Sequence, residues 1–74
     1  MLQLRLERKA RGWSLAKVTG KTGISESNLS LIERDLIPAY NGWKRRIARA
    51  FGLPADDLFR EPEASPAADR TVRP

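Results

Sequence analysis

Apolar residues recur along this 74-residue chain at spacings of three and four rather than two, which predicts a string of short helices and no strand hairpin. Residues 2–11, LQLRLERKAR, place Leu2, Leu6 and Ala10 at i, i+4 and i+8 among good helix formers, and Gly12 supplies the stop. Ser14 is the N-cap of a second helix, LAKVTGKT, whose inner stripe is Leu15, Val18, Thr19 and Thr22. Gly23 supplies a residue tolerant of positive φ, and Ser25 caps a third helix over 26–34 with Glu26 in its first turn, where a carboxylate complements the dipole. The pattern is therefore helix, glycine turn, helix.

Asp35 to Gly42, DLIPAYNG, is predicted to be a loop, because Pro38 blocks a helix and biases Ile37 towards an extended conformation. Asn41 is the expected cap of a fourth helix, GWKRRIARAF. In that helix Trp43, Ile47, Ala50 and Phe51 share one side, and Lys44, Arg45, Arg46 and Arg49 take the others. Gly52 ends it, and PADDLF gives a short fifth turn with proline first and Leu58 and Phe59 to pack down. After Phe59 the chain becomes proline-rich, small and charged. Residues 60–74 are therefore expected to form a disordered tail following a single domain over 1–59. The expected fold class is all-α, a compact bundle of five short helices, with Trp13, Trp43 and Phe51 as core anchors.

Composition narrows the chemistry. With no cysteine and no histidine, a disulfide framework, a thiolate zinc site and a histidine-based triad are excluded. No nucleophile stands with a plausible base, and a chain this short leaves little room for a pocket, so neither an enzyme nor a cofactor is expected. No apolar run approaches the ~20 residues of a membrane span, and the N-terminus alternates in charge where a signal peptide is apolar. The expectation is a soluble cytoplasmic protein with no membrane partner. The formal charge of +5 is uneven: residues 1–59 hold eleven Lys/Arg against six Asp/Glu, and residues 60–74 hold three of each. Two readings of that excess stand side by side, a polyanionic partner such as nucleic acid and simple solubility.

Four segments in order, RKARGWS at 8–14, TGIS at 22–25, LSLIER at 29–34 and RIARAFGL at 47–53, resemble the phage-repressor and Cro-like helix-turn-helix domains, also called the xenobiotic response element family. The resemblance covers roughly residues 4–59 without an insertion. It implies a lambda-repressor-like helix-turn-helix fold that binds double-stranded DNA at the nucleoid as a small transcriptional regulator or repressor. Such a domain acts as a homodimer on a palindromic or repeated site, with half-sites about 34 Å apart. Dimerisation by family habit uses the end of the fourth helix and the fifth, around Leu53, Leu58 and Phe59.

At 100° per residue, Glu26, Ser27, Ser30, Leu31 and Arg34 share one face of the third helix, and Ser25, Asn28, Leu29 and Ile32 share the other. The thin polar face is the one a major groove can admit. The resemblance implies that Glu26, Ser27 and Leu31 reach base edges, with Ser30 beside them. Glu26 can accept from a cytosine amino group, Ser27 can serve any base edge and Leu31 can pack on a thymine methyl. The plainer readings are dipole complement for Glu26, solvent exposure for Ser27 and a core or interface role for Leu31.

Phosphate contacts are expected from Ser14, Lys17, Arg34, Asn41, Lys44 and Arg45, at or near the heads of the second and fourth helices. For Lys17 and Arg49 an ordinary solvated face is the alternative. Arg8 and Glu33 match a structural ion pair tying the first helix to the end of the third. The chain departs from the family at Leu15, usually glutamine; at Thr19, usually alanine; at Asp35, usually glycine; and in the loop 35–42, which lacks Lys and Arg. A second class of function is a protein-interaction module of the same fold, an antitoxin or regulator subunit, with Leu15, Leu31 and Leu36 in an apolar patch.

Overall fold

The computed structural model describes residues 1–62; residues 63–74, most of the expected tail, lie outside the described residues. It contains five helices: α1 Gln3–Ala10, α2 Leu15–Thr22, α3 Glu26–Glu33, α4 Asn41–Phe51 and α5 Ala55–Leu58. The fold is all-α, and the described residues contain no strand.

Local chemistry accounts for most helix boundaries. Ser14 Oγ accepts the backbone N–H of Lys17 at 3.0 Å and Ser25 Oγ accepts that of Asn28 at 3.2 Å, so α2 and α3 each start on a serine cap. Between them Gly23 takes φ +78°, in the left-handed region a Cβ disfavours. Helix α3 ends in a Schellman motif: the N–H of Leu36 donates to the Leu31 carbonyl at 2.9 Å and that of Asp35 to the Ile32 carbonyl at 2.9 Å. This puts Asp35 at φ +60°, the single positive-φ residue other than glycine among the described residues. A short polar side chain tolerates that region better than most.

Three expectations about the framework need correction. Helix α1 does not bury the Leu2, Leu6, Ala10 row. Leu6 is 40% exposed and Ala10 is exposed, while Leu4 is buried and Arg8 is half-buried one turn on. Leu2 is buried from the extended residue just before the helix. The register is set by the guanidinium of Arg8, which must reach inwards, so the charged row displaces the apolar one. Asn41 does not cap α4. Tyr40 holds the N-cap position with no side-chain cap, its carbonyl takes the Lys44 N–H at 2.9 Å, and its ring meets Trp43 edge-on at 5.0 Å. An aromatic contact closes this turn where a polar cap was expected. Leu58 is fully buried in its own domain and offers nothing to a dimer partner, whereas Leu53 and Phe59 are half-buried.

The core is one cluster: Leu2, Leu4, Val18, Ile24, Leu29, Ile32, Ile47, Phe51 and Leu58. Helix α2 packs on α3 and α4, and α5 closes the bundle against α1 and α4. Trp13 and Trp43 are half-buried at the rim, where the Trp13 and Phe51 rings meet at 5.1 Å. The Arg11 guanidinium lies 5.5 Å from the centre of the Trp13 ring and 5.1 Å from that of Phe51, and the Lys21 ammonium 4.8 Å from that of Trp13. Arg11 also bonds Glu7 at 2.8 Å, and this contact, followed by a hydrogen bond from Gln3, holds the Glu7 carboxyl below its usual range. The chain beyond α5 is tied back to α1, since the Arg60 carbonyl accepts the Gln3 N–H at 2.8 Å.

Arg8 and Glu33 supply the main polar contact inside this shell. Arg8 Nε donates to Glu33 Oε2 at 2.6 Å and Nη2 to Oε1 at 3.1 Å, and Nη1 donates to the Trp13 carbonyl at 2.8 Å. One guanidinium thus joins the end of α3 to the turn between α1 and α2, while the Glu33 carbonyl takes the Leu2 N–H at 2.8 Å.

Thr19 is a local conflict in the same packing. Thr22 on the same helix donates its hydroxyl to the Val18 carbonyl at 2.8 Å and accepts the Ile24 N–H, but the buried Thr19 Oγ1 has no partner among the described residues. A buried hydroxyl without a hydrogen bond costs on the order of 1–3 kcal/mol. Thr19→Val keeps the branched shape and removes the polar atom, so it should stabilise the domain by about 1 kcal/mol. The check is a higher urea midpoint at unchanged m; an unchanged or lower midpoint would show that Thr19 Oγ1 is satisfied in solution.

Candidate nucleic-acid interface

Helix α3 divides as its sequence period requires. Leu29 and Ile32 are buried, as is Glu33 at the helix end, while Glu26, Ser27 and Arg34 are exposed and Ser30 and Leu31 half-buried. The outward residues do not form a flat face. Together with Leu15 at the first position of α2 they line an open groove of about 420 Å³, made by Leu15, Glu26, Ser27, Ser30, Leu31 and Arg34. Glu26 makes no ion pair among the described residues, although its helix sits in a basic domain. The Arg34 guanidinium turns back onto its own helix, with Nε donating to the Ser30 carbonyl at 3.4 Å.

This geometry, two helices joined by a glycine turn with the second presenting a small polar face, is the helix-turn-helix arrangement, and a family model described as a helix-turn-helix domain matches residues 2–61. The chain belongs to the helix-turn-helix domain family. No curated protein and no solved structure gives a significant match to it.

Around the groove of this helix-turn-helix domain the basic and capping residues are unequally placed. Ser14 and Lys17 are exposed at the head of α2. The Ser14 oxygen already accepts the Lys17 N–H, which leaves its hydroxyl hydrogen free to donate outwards. Asn41 and Arg45 are exposed on the first turns of α4, where the backbone N–H groups at the helix start have no intrahelical acceptor. Lys44 points elsewhere. It is half-buried, its ammonium lies 5.5 Å from the centre of the Phe59 ring, and it lines a second cleft with Leu2, Ile32, Asp35 and Ile37, a set that shares no residue with the first groove.

Two residues outside the expected set of DNA contacts take part in the surroundings. Leu15, on the inner stripe of α2 as its period predicts, packs against the core and, half-buried at the start of the helix, also forms part of the groove wall. Arg46 reaches the end of α2, with Nη1 donating to the Thr22 carbonyl at 3.4 Å. Leu36 is 61% exposed but does not line the groove, so it does not join Leu15 and Leu31 there.

No group of acidic residues among those described is arranged to hold a metal ion. No helix among the described residues is long and apolar enough to cross a membrane.

Proposed function

We propose that this domain binds double-stranded DNA sequence-specifically as a small transcriptional regulator of the phage-repressor and Cro-like kind, with α3 in the major groove and a homodimer on the site. The observation that carries the reading is the division of α3. Leu29 and Ile32 seat it from inside, and its groove face carries the short hydroxyls of Ser27 and Ser30 beside Leu31 and Arg34, with a Glu26 carboxylate that makes no ion pair among the described residues. Base edges are satisfied by such groups, and the short serines let the helix backbone approach them.

In this reading Glu26, Ser27, Ser30 and Leu31 meet bases. Ser14, Lys17, Arg34, Asn41 and Arg45 meet phosphates, through the dipole and amide donors at the heads of α2 and α4 and through charge. Lys44 contributes through long-range attraction, since its ammonium is held over Phe59. Arg8 and Glu33 keep α3 at the correct angle to α1. The function calls for neither a catalytic centre nor a cofactor, and it places the protein in the cytoplasm beside the nucleoid.

Selection of duplexes from a random pool tests this, followed by affinity for the winner and for scrambled DNA at two salt concentrations. The expected result is a symmetric consensus with a specificity ratio of about 10³ or more. Glu26→Gln should then raise affinity for scrambled DNA, because a negative charge leaves the phosphate surface, and relax the choice of base at one position per half-site. Binding that is weak, sequence-blind and erased by salt would defeat the reading. It would favour a protein-interaction module docking through Leu15 and Leu31, whose apolar contact is far less sensitive to salt.

A further inference from the structure

The groove contains something that phosphate binding and hydrogen bonding to bases do not explain. Leu15 from α2 and Leu31 from α3, both half-buried, form two apolar walls of one groove, with the Ser27 and Ser30 hydroxyls beside them and charges on Glu26 and Arg34. Among all groups displayed on the major-groove edges of DNA, one is apolar: the methyl group at C5 of a pyrimidine. Resting on the DNA-binding reading above, we propose that Leu15 and Leu31 together form a receptor for a pyrimidine C5-methyl group, so that the domain reads a methylated pyrimidine ring, carried by thymine or by 5-methylcytosine.

The charges around the groove favour this occupant over an apolar peptide segment. Lys17, Arg34, Arg45 and Arg46 are all exposed near α2, α3 and the head of α4, and the amide-rich start of α2 lies beside Leu15. That surface attracts a polyanion, and the apolar group a DNA duplex can bring there is the methyl. Neighbouring groups then discriminate between its two sources. Glu26 accepts from the N4 amino group of cytosine and meets only the O4 acceptor on thymine. A methyl delivered within reach of Glu26 therefore belongs to 5-methylcytosine, and one read by the leucines and serines alone belongs to thymine. Arg34 offers paired donors to a guanine on either strand nearby, once it leaves the Ser30 carbonyl.

The test uses the duplex chosen by selection. Each thymine in a half-site is replaced by deoxyuridine, which lacks only the methyl, and in a parallel set each cytosine by 5-methylcytosine. Binding is measured for the unaltered protein and for Leu15→Ala, whose folding is checked by thermal melting. One buried methyl is worth roughly fourfold in affinity, and about fifteenfold over a two-half-site duplex. Loss of that size at one thymine, or gain of that size at one cytosine, is expected, and Leu15→Ala should reduce it to under about twofold. Sequence-specific binding with no methyl sensitivity at any position overturns this proposal alone, as does a methyl effect that Leu15→Ala leaves intact. Absence of sequence-specific binding overturns the DNA reading itself and this proposal with it.

Discussion

Glu33→Ala should cost about 3–5 kcal/mol of folding stability, more than any substitution on the exposed face of α3. The carboxylate is 4% exposed and accepts two hydrogen bonds, at 2.6 and 3.1 Å, from an Arg8 side chain that is itself 12% exposed. Truncation leaves a guanidinium facing a cavity with one contact, the Trp13 carbonyl at 2.8 Å, in place of three. A domain of this size is stable by roughly 4–11 kcal/mol in total, so the loss is a large share of it. In a thermal scan it corresponds to roughly 12–40 °C. Glu33→Gln, which keeps the shape and one acceptor, should lose less, and the double change Arg8→Met with Glu33→Leu should recover much of the loss, because no charge is left unpaired. A loss below about 1 kcal/mol for Glu33→Ala would mean that water screens the pair as it screens a surface one.

That pair also shows where a sequence stops speaking for itself. Serine caps at 14 and 25, glycine turns at 23 and 52 and the inward row of α3 follow from propensity and period, because each depends on residues within one turn of the chain. Arg8 and Glu33 are 25 residues apart, and no local rule joins them; the resemblance to a known family did. Once they pair, Arg8 must face inwards, which rotates α1 away from its Leu6 and Ala10 row. The apolar pattern was present, but a stronger non-local contact overrode it. Asn41 fails as a cap for a related reason. Tyr40 and Trp43 find one another across the first turn, and their ring contact moves the helix start by one residue.

The outward face of α3 is legible in the sequence, and the surroundings of that face are less so. A period of 100° separates Glu26, Ser27, Ser30, Leu31 and Arg34 from the buried residues with no knowledge of the fold. Leu15 shows the limit of a period read alone: it gives the inward direction, which holds since Leu15 packs against the core, but it does not say that the same half-buried side chain also lines the groove. The direction of Lys44 is not legible from the sequence because a lysine's stem can lie along apolar surface, here towards Phe59, while its charge still counts in the sequence.

Leu29→Ala is the second large effect expected, about 2–5 kcal/mol, since Leu29 is fully buried on the inner face of α3 and its removal opens a cavity beneath that helix. The consequence for function should be different in kind from that of a change on the groove face. Glu26, Ser27 and Leu31 are untouched, and the serine cap and Schellman motif at the two ends of α3 are held by contacts that the Leu29 side chain does not make, the Leu29 N–H bond to the Ser25 carbonyl being kept by alanine. At a temperature where the variant is still folded, its affinity for the selected duplex, corrected for the folded fraction, should therefore stay within a few fold of the parent. Ser27→Ala should do the reverse, leaving the unfolding free energy from urea titration within about 0.5 kcal/mol of the parent and weakening discrimination at one base position. If Leu29→Ala instead removed binding in proportion to more than its folded fraction, α3 would be positioned by core packing and not by its caps. The rigid presentation of the groove face would then depend on the same leucine that gives the domain its stability.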